Sequence, residues 1–391
     1  VINKEAINKC IQIGLALNCS INPVSYFERK NYFYPDLAKG FQTSQLVLPI
    51  AVGGWLDVEN EAGEVRKIRI NRAHQEEDTG KLTHQGGETL IDFNRSSVPL
   101  VEVVTEPDFK DAAEVRDYAK KLQQLFRYLG VSNADMERGD MRLEANVSVR
   151  PVGQKELPPY RVELKNINSF RFMVAAIEFE IKRQIQLYEE GRDDELRQET
   201  RGWNEAKKET FLQRSKEEAN DYRYFPEPDL PELSFEELRI KELKDNLPEL
   251  PHQKMKRYQE TYGLSTKSVQ FLLCDKNTAD FFEAAVEYGK KVGIEAKDIA
   301  NYIINNKLDL VDTSTEQIVD DIKAKKANMV DDDQILETLA KEAIKEDPDA
   351  VEKYSAGKTG VIMSLVGAVM KKSQGKANAA KVKEILEKLL S

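Results

Sequence analysis

Four potential metal or proton ligands fall within five residues of this chain: His74, Glu76, Glu77 and Asp78. In the preceding segment, residues 68–71, isoleucines alternate with polar side chains, which is typical of a β-strand. Carboxylates are the usual protein ligands of hard cations such as Mg²⁺, and histidine can bind a metal or transfer a proton. The pattern therefore predicts a strand that ends in a group of ionisable side chains.

A single carboxylate, Glu102, interrupts the apolar run at residues 100–104. The length and β-branched content of this run predict a buried strand. Because an unpaired buried carboxylate is unfavourable, Glu102 requires a cation, either a bound metal or an arginine such as Arg95. A solvated acidic turn with one structural Glu–Arg ion pair is an alternative that the residue pattern leaves open.

A second polar row supports a functional site. In the run 141–150 the apolar side chains alternate with Arg142, Glu144 and other polar residues, and a similar row recurs at Arg161, Glu163 and Lys165. Strands with such mixed faces predict a sheet that lines an open cleft. The cleft would suit a phosphate-rich substrate with magnesium, since carboxylates bind the cation and basic side chains neutralise phosphoryl oxygens.

Helical periodicity identifies the elements around these strands. An apolar stripe predicts a helix at residues 111–129, closed by Gly130, and another at 169–190, capped by Ser169 and closed by Gly191. The strongly charged segment 196–225 is expected to be a surface loop. Prolines at 248 and 251 predict a domain boundary, after which the period changes to that of helices.

Composition limits the class of protein. The 391 residues are 40% hydrophobic, with no apolar run of membrane length and no secretory signal, so a soluble cytoplasmic protein is expected. The net charge of −10 does not indicate a nucleic-acid binder, so any RNA contact must be local. Such a region is the segment 353–391, where eight lysines stand against two glutamates and glycines recur.

Two nucleotide-binding motifs are rejected. The tripeptide at 357–359 imitates the end of a P-loop, but position 352 holds glutamate in place of the first glycine, and the tripeptide at 79–81 fails likewise. A bound ATP would therefore be held by strand side chains and magnesium. No Ser/Lys amidase signature occurs either, so glutamine hydrolysis is expected in another chain.

Five motifs in order along nearly the whole chain resemble those of the GatB family, whose members are subunits of aspartyl/glutamyl-tRNA amidotransferases. They are NYFYPD at 31–36, HQEEDTGK at 74–81, DFNRSSVPLVEVVTEPD at 92–108, ELKNINSF at 163–170 and DYRYFPEPDL at 221–230.

The resemblance implies an α+β fold with three domains. A glutamine synthetase-like, antiparallel-sheet cradle is expected at 1–246, an all-α helical domain at 247–327 and a helical, basic, tRNA-binding tail at 328–391. Since the family has an earlier strand with a Glu-x-His motif that supplies two metal ligands, the chain is expected to lack its N-terminal segment.

By the same resemblance, Glu77 and Glu102 are the metal ligands. His74, Glu76 and Arg95 are expected beside them, with Arg142, Glu144 and Lys165 in the cleft and Lys358, Lys371, Lys372 and Lys376 on tRNA. One departure is Ser97, where the family usually has glycine, because close backbone approach or a positive φ is plausible in that turn.

The implied function is a carbon–nitrogen ligase that takes glutamine as amido donor. It phosphorylates, with ATP and Mg²⁺, the side-chain carboxylate of Glu on tRNA(Gln) or Asp on tRNA(Asn), and ammonia from an amidase subunit completes the amide. The implied partners are GatA-like and GatC-like subunits in a heterotrimer. A non-catalytic tRNA-binding scaffold and a small-molecule carboxylate–amine ligase are the alternatives, and the basic tail argues against the second.

Overall fold

The structure is a computed structural model that describes residues 2–215, 221–306, 308, 310, 312–327 and 332–390. The chain divides into two compact units, Val1–Lys254 and Met255–Ser391. Helices and sheets are both present, so the fold is α+β, as predicted. Among the described residues, no helix has both the length and the apolar composition that crossing a bilayer requires.

The described strands lie in the first unit. In chain order they are β1 (Ser20–Ile21), β2 (Val24–Ser25), β3 (Glu28–Asn31), β4 (Phe41–Ser44), β5 (Ala51–Glu59), β6 (Val65–Glu77), β7 (Lys81–Gln85), β8 (Glu88–Asp92), β9 (Pro99–Thr105), β10 (Leu143–Val147), β11 (Val162–Ile167), β12 (Glu199–Asn204), β13 (Glu209–Ser215), β14 (Phe225–Pro226) and β15 (Leu233–Ser234).

The helices occur in both units. In chain order they are α1 (Lys4–Ala16), α2 (Ala112–Leu129), α3 (Phe170–Glu189), α4 (Glu237–Asp245), α5 (Pro251–Tyr262), α6 (Thr266–Leu272), α7 (Lys276–Val292), α8 (Ala296–Asn306), α9 (Thr315–Ala327), α10 (Asp333–Glu346), α11 (Pro348–Ser355), α12 (Ile362–Lys372) and α13 (Ala379–Leu390).

The first sheet has the order β1-β5-β6-β9, with antiparallel pairs throughout. Ile68 and Ile70 of β6 are buried in a core shared with α1 and α2, while the intervening Arg69 is exposed, which confirms the predicted strand alternation. Strand β9 lies at the sheet edge, and the side chain of Glu102 on it is 49% exposed. The prediction of a buried strand around Glu102 was therefore wrong, because β9 has a neighbour on one side only.

The second sheet has the order β10-β11-β12-β13, with α3 packed on one face. In β10, Glu144 and Asn146 are exposed and alternate with apolar residues, as predicted. Strands β12 and β13 form a hairpin within the segment that was predicted to be a surface loop, so that prediction was wrong. The polar composition conceals strands whose buried positions are threonines, Thr200 and Thr210, that hydrogen-bond to carboxylates.

The two predicted helices of the first unit are present as α2 and α3. The Asp111 side chain accepts a hydrogen bond from the Glu114 amide at 2.8 Å to cap α2, and Gly130 ends that helix with φ +67°. Ser169 stands at the N-cap position of α3, but its hydroxyl makes no capping hydrogen bond. The predicted capping role of Ser169 was wrong, although the helix begins where expected.

The second unit is helical in its described part, as the change of period predicted. Helices α10, α12 and α13 pack around one apolar core that includes Leu336, Leu365 and Leu386, and α11 contributes Ala350. The basic segment is therefore one side of a folded module that also contains the acidic helix α10.

Candidate active site

A cavity of about 330 Å³ opens in the first unit. It is bounded by the first sheet, by the start of β11 and the residue before β12 in the second sheet, and by the segment before β14. Its lining residues are Lys30, Ser44, Gln45, Arg72, His74, Glu102, Arg161, Glu163, Gln198, Tyr222 and Tyr224. Polar and charged side chains therefore line most of the cavity.

At the first sheet, this cavity contains a cluster of His74, Glu76 and Glu102. His74 and Glu76 lie two residues apart on β6 and so share a face of the strand, and Glu102 of β9 pairs directly with His74 in the sheet register. His74 Nε2 lies 3.2 Å from Glu102 Oε2 and 3.8 Å from Glu76 Oε2. His74 and Glu76 are buried, whereas Glu102 is half exposed toward the cavity.

The charges of this cluster are coupled. Burial alone would disfavour the imidazolium form, but hydrogen bonds with Glu102 and Glu76 outweigh it and raise the pKa of His74. The hydrogen bond from His74 in turn lowers the pKa of Glu102, against a smaller opposing effect of burial. At neutral pH the cluster therefore holds a proton on His74 between two carboxylates.

Lys30 of β3 is a further cation beside this cluster. Its Nζ lies 3.2 Å from Glu76 Oε1 and 5.4 Å from the ring centre of Tyr222. Burial opposes the charged form of Lys30, but the charge of Glu76 dominates and the pKa of Lys30 is raised. Glu76 is thus shared between Lys30 and His74.

The cluster also has the donor set of a cation site. One ligand atom from each of His74, Glu76 and Glu102 lies within 4.8 Å of the others, and His74 Nδ1 is buried without a hydrogen-bond partner among the described residues. Two carboxylates and one imidazole fit a divalent cation such as Mg²⁺ or Mn²⁺, with water or substrate oxygens completing the coordination.

Glu77 points away from this cluster. Because adjacent residues of a strand face opposite sides, its carboxylate lies near β4, where Lys39 Nζ is 2.6 Å away and the Thr43 amide donates a hydrogen bond at 3.1 Å. The structure therefore brings Glu102 together with Glu76 and His74, and it does not bring Glu77 to them.

Arg95 and Arg142 converge on Asp78. Their guanidinium groups lie 3.0 Å and 2.5 Å from Asp78 Oδ2, and the Asp78 carbonyl accepts a hydrogen bond from the Ser97 amide at 2.9 Å. Ser97 adopts φ +63°, which explains why a glycine would suit this turn. The ion-pair partner of Glu102 is His74 rather than Arg95, so that expectation is corrected.

Glu144 and Lys165 form a third group at the second sheet. Lys165 Nζ lies 3.2 Å from both Glu144 and Glu163, and Glu163 also accepts a hydrogen bond from the Thr200 hydroxyl at 2.9 Å. Of these residues, Glu163 lines the cavity. Glu144 and Lys165 therefore reach the cavity through Glu163.

Several cavity residues were not among the predicted site residues. Arg72 lies on the same face of β6 as His74, so the spacing of two in the strand could have identified it. Arg161 and Glu163 were expected only as part of a polar row. Lys30, Tyr222 and Tyr224 reach the cavity through the pairing of β14 with β3, which no local pattern predicts.

In the second unit, the tail lysines fall into two groups. Lys358, Lys371 and Lys376 are exposed and form no ion pair with any residue that the structure describes. Lys372 differs, because its Nζ lies 3.2 Å from Glu342 and 2.6 Å from Glu346, both on α10. Part of the local positive charge is thus neutralised by the acidic helix of the same module.

Comparison with known proteins places these features in a family. Residues 1–241 match the family model of the GatB/GatE catalytic domain, and residues 280–390 match that of the GatB domain. The whole chain is 40% identical to 79% of a subunit of the chloroplastic/mitochondrial glutamyl-tRNA(Gln) amidotransferase of Ricinus communis. It is also 42% identical to 89% of the corresponding aspartyl/glutamyl-tRNA(Asn/Gln) amidotransferase subunit in Clostridium beijerinckii and to 89% of that in Halorhodospira halophila.

Proposed function

The chain belongs to the GatB/GatE family, and from this premise we propose that the cavity with His74, Glu76 and Glu102 is where a misacylated tRNA is activated and amidated. The chain is one subunit of an aminoacyl-tRNA amidotransferase. It takes part in the ATP-dependent conversion of Glu-tRNA(Gln), Asp-tRNA(Asn) or both to the amidated forms. The enzyme is a carbon–nitrogen ligase with glutamine as amido donor.

The chemistry accounts for the need for ATP. A carboxylate is a poor acyl donor because its leaving group would be oxide. Attack of a carboxylate oxygen on the γ-phosphorus of ATP releases ADP and gives an acyl phosphate. Ammonia then attacks the carbonyl carbon, phosphate leaves, and one proton is lost from nitrogen.

The observation that carries the proposal is the cluster of His74, Glu76 and Glu102 on the wall of a cavity that also presents Arg72 and Arg161. These three ligands would hold Mg²⁺, which when bound screens the anionic oxygens that meet in phosphoryl transfer. Glu76 replaces Glu77 in this ligand set because Lys39 holds the carboxylate of Glu77. His74, with Glu102 and Glu76 as partners, can also hold a proton at Nε2.

The remaining parts of the proposal concern domains and partners. Residues 1–246 would form a glutamine synthetase-like cradle, and 247–327 and 328–391 would form helical and tail domains that bind tRNA. Since no amidase signature occurs in this chain, a GatA-like subunit supplies the ammonia and a GatC-like subunit completes a cytoplasmic heterotrimer.

Substitution of Glu102 tests the assignment. The Glu102→Gln change keeps the shape but removes one charge from the proposed ligand set, so we expect ATP-dependent amidation of Glu-tRNA in the assembled complex to fall by about 100-fold or more. Ammonium chloride replaces glutamine in the assay, and glutamine hydrolysis by the partner is measured separately and should persist.

A thermal unfolding scan on the same preparation provides the control. A half-exposed residue such as Glu102 should change the unfolding midpoint little. A variant that unfolds like the parent and amidates at the parental rate would exclude this role for Glu102. Unchanged amidation would also favour the alternative that the cavity belongs to a non-catalytic scaffold.

A further inference from the structure

The cavity carries more positive than negative charge, although the chain as a whole has a net charge of −10. Lys30, Arg72 and Arg161 line it as cations, and Glu102 and Glu163 as anions. This local reversal of sign makes the cavity a site for an anionic ligand.

The carboxylates of the cavity already have other cationic partners. Glu102 is hydrogen-bonded to His74, and Glu163 is bound by Lys165 and Thr200. Lys30 is likewise held by Glu76. The cations that are left over are therefore the two arginines.

Arg72 is one of these two arginines. It lies on β6, on the same face as His74, and it forms no ion pair with any residue in the described ranges. Its Nε is buried and lacks a hydrogen-bond partner in that part of the chain. A buried guanidinium nitrogen without a partner is unfavourable, so Arg72 is set to receive an acceptor that enters the cavity.

Arg161 is the second. It immediately precedes β11 and reaches the cavity from the second sheet, and its side chain is exposed with no ion-pair partner among the residues described. A guanidinium group is always charged, and its planar array of donors matches the oxygens of a phosphoryl group. The two arginines thus come from different sheets to one cavity.

We propose that Arg72 and Arg161 bind the phosphate chain of the nucleoside triphosphate, one guanidinium group from each sheet. The inference rests on the proposed function, since it names the residues that receive the phosphoryl oxygens at the same site. It also separates two roles within the cavity: the acidic cluster on β6 and β9 holds a cation, and the two arginines hold the anion.

Titration calorimetry of the full chain with ATP, tripolyphosphate and adenosine tests the proposal. We expect Arg161→Ala and Arg72→Lys each to weaken binding of ATP and tripolyphosphate by roughly 10- to 100-fold, because charge-assisted bidentate hydrogen bonds are lost. Binding of adenosine should be unchanged. Arg171→Ala is the matched control, since Arg171 is exposed on α3 and does not line the cavity, and it should bind like the parent.

The possible outcomes separate the inference from the proposed function. Parental affinity for tripolyphosphate in both cavity variants, an equal loss in Arg171→Ala, or a parent chain that binds neither ATP nor tripolyphosphate would overturn the inference. If only the cavity variants lose tripolyphosphate but the assembled parent complex makes no amidated tRNA, the anion site stands and the proposed function fails. Unfolding midpoints equal to that of the parent show that the variants are folded.

Discussion

The proton on His74 is held in place by two carboxylates that come from different strands. A divalent cation would compete for the same ligands, because a metal binds the unprotonated imidazole. The cluster can therefore exist in a proton-bound or a cation-bound form. Lys30 contributes to this balance because it withdraws negative charge from Glu76.

The pH dependence of the cluster follows from these contacts. A raised pKa of His74 stabilises the fold fully below the ordinary value near 6.5, and this stabilisation is lost as the pH rises through the raised pKa. A lowered pKa of Glu102 stabilises the fold above the ordinary value near 4.5, and this contribution is lost as the pH falls through the lowered pKa. The pair is thus most stabilising between those two limits.

We expect Glu102→Gln to lower the pKa of His74, since burial then opposes the imidazolium with less compensation. NMR titration of the ring resonances measures this shift. The chain has three histidines, and His252 provides an internal reference because burial lowers its pKa. An unchanged His74 titration in the variant would contradict the coupling.

Ser97 offers a separate test at the residue scale. Its φ of +63° is unfavourable for a residue with a Cβ, so Ser97→Gly should stabilise the chain by roughly 0.5 to 1 kcal/mol after the added freedom of the unfolded chain is included. The neighbouring Ser96 has a negative φ, and Ser96→Gly should destabilise by a similar amount. Chemical denaturation of both variants decides the matter, and equal losses would contradict the argument.

At the scale of elements, the sequence predicted the helices better than the strands. Helices α2 and α3 have long apolar stripes and end at Gly130 and Glu190, so local pattern determines them. Strands β12 and β13 escaped prediction because their buried positions are occupied by threonine and by ion-paired side chains. Burial by hydrogen bonding leaves no apolar period to read.

The candidate site was predictable in part for the same reason. The chemistry of the His74 region and of Glu102 is visible in the sequence, but the choice between Glu76 and Glu77 depends on which face of β6 meets Glu102. That choice requires the register of β6 against β9, a contact between residues distant in sequence. The position of Arg161 in the same cavity depends on tertiary packing in the same way.

The tail module allows a sharper test of RNA binding than truncation, because removal of 353–391 would strip α12 and α13 from their shared core with α10. We expect the triple change of Lys358, Lys371 and Lys376 to alanine to weaken tRNA binding. It should also reduce the slope of log affinity against log salt by about 2 to 3, if each lysine releases counterions from one phosphate. Filter binding of tRNA at several salt concentrations measures both quantities.

A matched control uses three lysines of the same module that already have carboxylate partners: Lys372, Lys381 and Lys383. Their replacement by alanine should change the salt slope less. If the two triple variants behave alike, the exposed lysines have no special role in binding.

On the scale of the whole molecule, the distribution of charge matters more than its total. A chain with a net charge of −10 repels nucleic acid on average, yet it has a cationic cavity in one unit and, in the other, exposed lysines that pair with no carboxylate of the described ranges. Each patch is local, so each can bind an anion without making the protein a general polyanion binder. Phosphate chemistry is assigned to the first unit and RNA backbone contact to the second.

The central claim is that His74, Glu76 and Glu102, and not Glu77, hold the divalent cation of the reaction. Titration of Mn²⁺, monitored by electron paramagnetic resonance on the assembled complex, tests it with the matched pair Glu76→Gln and Glu77→Gln. These adjacent residues differ by the face of β6 on which they lie, so we expect Glu76→Gln to weaken Mn²⁺ binding by about 10-fold or more and Glu77→Gln by less than about 2-fold. The reverse order, with Glu77→Gln losing the ion and Glu76→Gln retaining it, would contradict the account.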